Sequence, residues 1–212
     1  MTALPPVRLR ADARRNRDKI VAAAVHAFTE DGPYLPMEEI ARLAGVGVGT
    51  LYRHFPDRDA LIMAVVQDSL GTMLARARAA AVDEPCAWDA LIRSMSGSPE
   101  IRLALRLPNL FQPATTEVIR ADPEIRRIRG ELMAQIDTLV QAAQQEGTLR
   151  ADVGTGDVVH LFSLLLQGMQ KMPREVGEAV YERSCAIVLD GLRTRRGPLL
   201  PGGPLTLRDI TE

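Results

Sequence analysis

The stretch AGVGVGTLYRHF, Ala44 to Phe55, constrains this chain more than any other. It overlaps the end of a helical repeat, MEEIARLA, and stops at Pro56, so it holds a tight turn and about two turns of helix at 3.6 residues each. Gly45 can take the left-handed backbone conformation that a sharp exit from a helix needs, and Gly47 lies at the entry to the next one. Helix, short turn, second short helix is the helix-turn-helix plan.

With Leu51 and Phe55 set inward on the second of these helices, its helical period sends Gly49 and Arg53 outward. Thr50 and His54 line one flank, and Val48 and Tyr52 the other. A face that begins with small residues can approach a surface closely, and polar groups further along can reach phosphates on either side of a groove. Arg58 and the start of the following helix add a positive contact.

Helices account for the rest. Apolar residues recur at spacings of three and four throughout, and the alternation that strands require is missing over any useful length. A first helix is expected over 14–30, with Ile20, Ala24 and Phe28 on its inner face and Asp31, Gly32 and Pro33 ending it. A short helix starts near Pro36, the glycine turn follows, and a third covers about 48–55. Asp57 caps a fourth helix reaching about Ala80. Pro and Gly recur through 81–123, which predicts a helix from about Trp88, a broken middle and irregular connections. A long helix resumes at Pro123 and stops at Gly147. Another is capped by Thr155 or Asp157, and a last one covers about 175–195.

The predicted class is all-α: a three-helix unit with its helix-turn-helix and N-terminal arm in residues 1–60, and a larger helical body in 61–196, to which the resemblance given below assigns ligand binding as well as dimerisation. The tail 197–212 is expected to be poorly ordered, having six Gly or Pro in its first eight residues. The stretch Val158 to Met169 is apolar on almost every side and needs at least two partners. A homodimer seam near 155–170 and 175–195 would cover it; burial within one protomer is the alternative.

Composition narrows the function only locally. Residues 1–60 carry nine Lys/Arg against eight Asp/Glu, and the remainder seventeen against nineteen, so net charge barely favours nucleic acid. Six basic residues between Arg8 and Lys19, Arg17 among them, nevertheless face only Asp12 and Asp18. The start does not read as a signal peptide and no continuous run reaches about 18 apolar residues, so the expected location is cytoplasmic, with no membrane partner.

Gly45, Gly47 and Gly49 follow a helix at G-x-G-x-G spacing, which is not the spacing of a phosphate-cradling loop. His26, His54 and His160 form no metal-ligand pattern with each other or with Cys86 and Cys185. His160 is expected at a core or dimer boundary, or in polar contact with a ligand. No cofactor, metal or catalytic group is called for. An enzyme would need a titratable pair converging in the body.

NRDKIVAAAVHAFTEDG, followed by MEEIARLAGVGVGTLYRHFPDRDALIMAVV, resembles the DNA-binding region of the TetR/AcrR family of bacterial transcriptional regulators over about residues 14–66. The joint spacing of Ile40, Ala41, Ala44, Gly45, Val46, Gly49, Thr50, Leu51, Tyr52, His54 and Phe55 carries the resemblance. It implies an all-helical homodimer, usually a repressor, released from operator DNA by a small molecule entering the C-terminal body. By position it implies backbone contacts from Thr50, Tyr52 and His54, a basic contact from Arg58, base-facing places for Val48 and Gly49, and a variable place for Arg53. The family often starts its second helix with Ser or Thr, whereas this chain has Leu35, Pro36 and Met37, losing one cap and one hydroxyl contact. Glycine at 47 and 49 shifts weight to Val48 meeting a thymine methyl and to DNA shape.

A second reading is a helical small-molecule-binding protein whose DNA unit has decayed. Either way, effector candidates lie in the body: Trp88, Met95, Arg102, Arg106, Phe111, Met133 and Phe162, with Leu103, Leu107 and Ile136 alongside. Core packing competes for each apolar one. Arg102 and Arg106, four apart, meet either an anionic ligand or solvent.

Overall fold

The computed structural model describes residues 6–30, 34–95, 103, 113–169, 174–195 and 197–211. Among them ten α-helices follow one another: α1 Pro6–Glu30, α2 Met37–Leu43, α3 Val48–His54, α4 Arg58–Asp83, α5 Ala87–Met95, α6 Pro113–Ala121, α7 Pro123–Gln145, α8 Thr155–Met169, α9 Arg174–Leu192 and α10 Arg208–Thr211. No named strand occurs among the described residues. One isolated bridge pairs Leu149 with Arg193.

α1 starts at Pro6, well before the expected Arg14. The added turns, PVRLRADA, lack an apolar stripe but consist largely of good helix formers, and proline is tolerated at a first helical position. Its C-terminal half supplies the core with Ile20, Val21, Ala24, Ala27 and Phe28. α1 packs on α2, α3 and α4, which closes the N-terminal unit.

α2 begins after Pro36 without a side-chain cap, consistent with the missing Ser or Thr. It ends in a Schellman arrangement: Val46 N–H donates to Ala41 O at 3.0 Å, Gly45 N–H donates to Arg42 O at 3.1 Å, and Gly45 sits at φ +65°. Asp57 caps α4 by accepting from Ala60 N–H at 2.8 Å.

α4 runs from the small unit into the body, where it packs against α5 and α7. One 18-residue window of α4 averages apolar enough to cross a membrane, although continuous apolar runs are absent. Half of that apolar window is buried within the fold, the environment of a core helix. Asp122 caps α7 by accepting from Ile125 N–H at 2.8 Å, with Pro123 at the first helical position. α6 forms an ordered helix in part of the region expected to be irregular.

The tail departs furthest from expectation. Gly156 N–H donates to Leu205 O at 2.9 Å, and Asp157 accepts from Gly154 N–H at 2.8 Å and from Leu205 N–H at 3.0 Å. Asp152 accepts from Leu200 N–H at 2.8 Å. Residues 200–206 thus lie against the start of α8. A Cβ at Gly154 would collide with the Leu205 carbonyl oxygen, so only glycine permits this approach.

Candidate nucleic-acid interface and body cavity

α3 is anchored from below. Leu51 is fully buried and Phe55 nearly so, within one core shared with Ile20, Phe28, Ile40 and Leu61. The helix therefore turns its other side outward. Val48 is 39% exposed and Tyr52 41%, Gly49 and Arg53 are exposed, and Thr50 and His54 are half-buried. Nothing lies within 4 Å of a Cβ built on Gly49. The helical wheel had placed each of these side chains on the side it occupies.

Hydrogen bonding on this face is local and surface-bound. Tyr52 Oη donates to Glu38 Oε1 on α2 at 3.3 Å. Arg53 folds along its own helix, with Nε donating to Gly49 O and Nη2 to Thr50 Oγ1, both at 3.1 Å. Exposed bonds of this kind are readily exchanged for a partner's oxygens.

Two arginines expected as DNA contacts also have partners within the fold. Arg58 is half-buried, and its Nη2 donates to Leu35 O at 2.5 Å, which ties the start of α4 to the segment before α2. Arg17 lies with its guanidinium carbon 5.9 Å from the Phe55 ring centroid and a nitrogen 3.8 Å from Asp18. It therefore braces α1 against the end of α3. Glu38 lies in the first turn of α2, and its bond to Tyr52 depends on a tertiary approach that spacing does not reveal.

In the body, α4, α5, α7 and α8 enclose a cavity of about 190 Å³. Met95, Met133, Ile136 and Phe162, all expected near a ligand, line it together with Leu70, Met73, Leu132, Val159 and Leu166. Ser94, Ser163 and Arg129 complete the wall. Trp88 is not among the lining residues: it is 2% exposed, with the Arg193 guanidinium 5.0 Å over its ring, so it joins α5 to the segment after α9. Arg102, Arg106, Leu107 and Phe111 lie outside the described residues, and Leu103 is buried in the core. His26 and His160 are exposed, so His160 is not a core residue of the single chain. Among the described residues no cluster of His, Cys, Asp and Glu could hold a metal ion.

A buried apolar pair holding a short polar helix outward, on a three-helix unit joined to a larger helical body, defines a helix-turn-helix protein. Comparison with known proteins agrees at both ends. Residues 20–65 match the family model for bacterial regulatory proteins of the tetR family, and residues 108–194 match that of the SbtR-like transcriptional regulator C-terminal domain. The crystal structure of a TetR transcription regulatory protein from Mycobacterium vanbaalenii is similar at 31% identity and a TM-score of 0.64, covering 87% of this chain and 99% of that one. A TetR transcriptional regulator from Streptomyces coelicolor is similar at 31% identity and a TM-score of 0.63, covering 84% and 98%. An HTH-type transcriptional regulator from Staphylococcus aureus is 42% identical over 67 residues, 31% of this chain; the match spans 36% of that relative's length.

The chain belongs to the TetR family of transcriptional regulators. The enzymatic reading is thereby set aside, since the family and the named relatives are DNA-binding regulators.

Proposed function

We propose that this chain is a cytoplasmic, homodimeric repressor that leaves its operator when a small molecule enters the body. The observation that carries this reading is the outward face of α3, where Val48, Gly49, Thr50, Tyr52, Arg53 and His54 remain accessible above buried Leu51 and Phe55. In this reading Thr50, Tyr52 and His54 take phosphate oxygens, and Val48 and Gly49 approach base edges in the major groove. Arg17 and Arg58 set the electrostatics at the C-terminal end of α3. Arg58 does so while holding Leu35, so its contribution to DNA affinity is smaller than that of Tyr52.

Exposed apolar residues on the last long helices support pairing of two copies. Leu164 on α8 is 49% exposed, and Val176, Val180 and Ile187 are exposed on α9. Two copies joined there present two recognition helices, and a two-fold protein reads half-sites one DNA turn, about 34–36 Å, or a multiple of it apart.

The cavity supports the coupling. α4 carries Leu61, Ile62 and Val65 in the core near α3, and Leu70 and Met73 in the cavity wall. A ligand that binds more strongly when α4 holds the two DNA-binding units in an unproductive arrangement lowers operator affinity by its differential affinity for the two states. Titration of matched and scrambled duplexes tests the assignment: replacing Tyr52 weakens both, replacing Val48 changes the preference between them, and unchanged affinities in the Tyr52 variant contradict it.

A further inference from the structure

The cavity wall has an uneven chemistry. Met73, Met95, Met133 and Phe162 give it adaptable apolar sides. Its two hydroxyls are already committed as donors: Ser94 Oγ donates to Ala90 O at 2.7 Å, and Ser163 Oγ donates to Val159 O at 2.8 Å. Neither has a proton left for a ligand's acceptor. The remaining polar lining residue is Arg129, whose exposed side chain reaches the cavity from α7 and so stands at its solvent edge.

The acids nearest to Arg129 along α7 in sequence, Glu124 and Glu131, are paired with other arginines. Arg127 pairs with Glu124 and Glu131, and Arg78 bonds Glu131 from α4 at 2.9 Å. Arg129 makes no ion pair among the described residues. Among the described residues the site thus combines an apolar interior with an arginine free of ion pairs at the rim, a group suited to bidentate binding of carboxylates.

We infer that the cavity takes a small organic carboxylate, with its apolar body among the methionines and Phe162 and its charge on Arg129. This rests on the reading of the cavity as the effector site. The volume sets the size: an apolar cavity of about 150 Å³ holds benzene, so about 190 Å³ suits a ring with a short side chain. A cationic amphiphile would meet like charge at the rim. A neutral analogue would lose the charge-assisted bonds.

Calorimetric titration of the full chain with 3-phenylpropanoate, 3-phenylpropanamide and 3-phenylpropylammonium separates these cases. The carboxylate is expected to bind at least about fivefold more tightly than the amide, as hydrogen bonds between two charged groups exceed those with a neutral acceptor, and the ammonium most weakly. Arg129→Gln should remove the carboxylate's advantage over the amide, lowering carboxylate affinity more than amide affinity, while Met133→Trp, which fills the cavity, should weaken all three. Equal binding of carboxylate and amide, lost in Met133→Trp, would overturn the anion preference and leave the effector cavity standing. Amide binding lost in Arg129→Gln would make the arginine a wall residue and also overturn the inference. Absence of binding by all three would overturn both the inference and the cavity's role.

Discussion

Tyr52 donates its phenolic hydrogen to Glu38 Oε1 across 3.3 Å, linking the outer face of α3 to the first turn of α2. The bond is long and the tyrosine is 41% exposed, so it contributes about 1 kcal/mol or less to stability. A phosphate oxygen offers the same hydroxyl a charge-assisted bond of about 1.5–3 kcal/mol. Tyr52→Phe is therefore expected to lower duplex affinity roughly 10- to 100-fold for matched and scrambled sequences alike. Its Tm should move by less than about 4 °C. Glu38→Gln removes a negative charge facing the DNA and should raise affinity by up to about fivefold, the worth of two unit charges 4 Å apart in water. Fluorescence anisotropy and thermal denaturation on the same preparations check these outcomes.

The anchoring of α3 predicts the opposite balance one residue away. Leu51 is fully buried, and Leu51→Ala should cost about 2–5 kcal/mol and abolish DNA binding by releasing the helix. Arg53→Ala, on the exposed side, should change stability by about 1 kcal/mol or less. Denaturant unfolding of the two variants measures the difference.

Gly154 sets a stability test far from DNA. A methyl there would press into the Leu205 carbonyl, so Gly154→Ala should displace the tail, cost about 1–3 kcal/mol and expose the Gly156 and Leu205 amides to hydrogen exchange. Gly130→Ala, with nothing within 4 Å of its Cβ on α7, should instead stabilise by about 0.5–1 kcal/mol.

The same tail contact carries a pH dependence. Arg150's bonds to Asp152, and then the Leu200 amide, hold the Asp152 carboxyl down to about 2, against an ordinary 3.8. A depressed carboxylate stabilises the folded form above its unfolded pKa. That contribution should be complete above about pH 5 and fade as the pH falls through 3.8 toward 2. Protection of the Leu200 amide is expected to fall over this window in the native chain and to be pH-independent in Asp152→Asn.

The helix-turn-helix was legible because its determinants are local. Gly45, the Leu51–Phe55 pair, Asp57 and Pro56 act within a few residues of each other, and their placement follows from period and capping alone. What sequence missed depends on distant partners. The Gly- and Pro-rich tail reads as loose until Gly154 and Gly156 are seen to receive it, and Arg58 reads as a free cation until the Leu35 carbonyl is beside it. Trp88 resembles a ligand contact by composition, but its ring is covered by Arg193, over a hundred residues later in the chain. The start of α1 lies earlier than period alone marks, because the added turns PVRLRADA carry no apolar repeat of three and four.

Selection of bound duplexes from a random pool tests the central claim, that α3 turns Thr50, Tyr52 and His54 to a DNA groove from a base of Leu51 and Phe55. The account predicts enrichment of a two-fold-related site by the native chain and loss of that enrichment in a Thr50→Ala, Tyr52→Ala, His54→Ala variant that unfolds at the same temperature. A pool left unenriched by the native chain, or a site enriched equally by the variant, would contradict it.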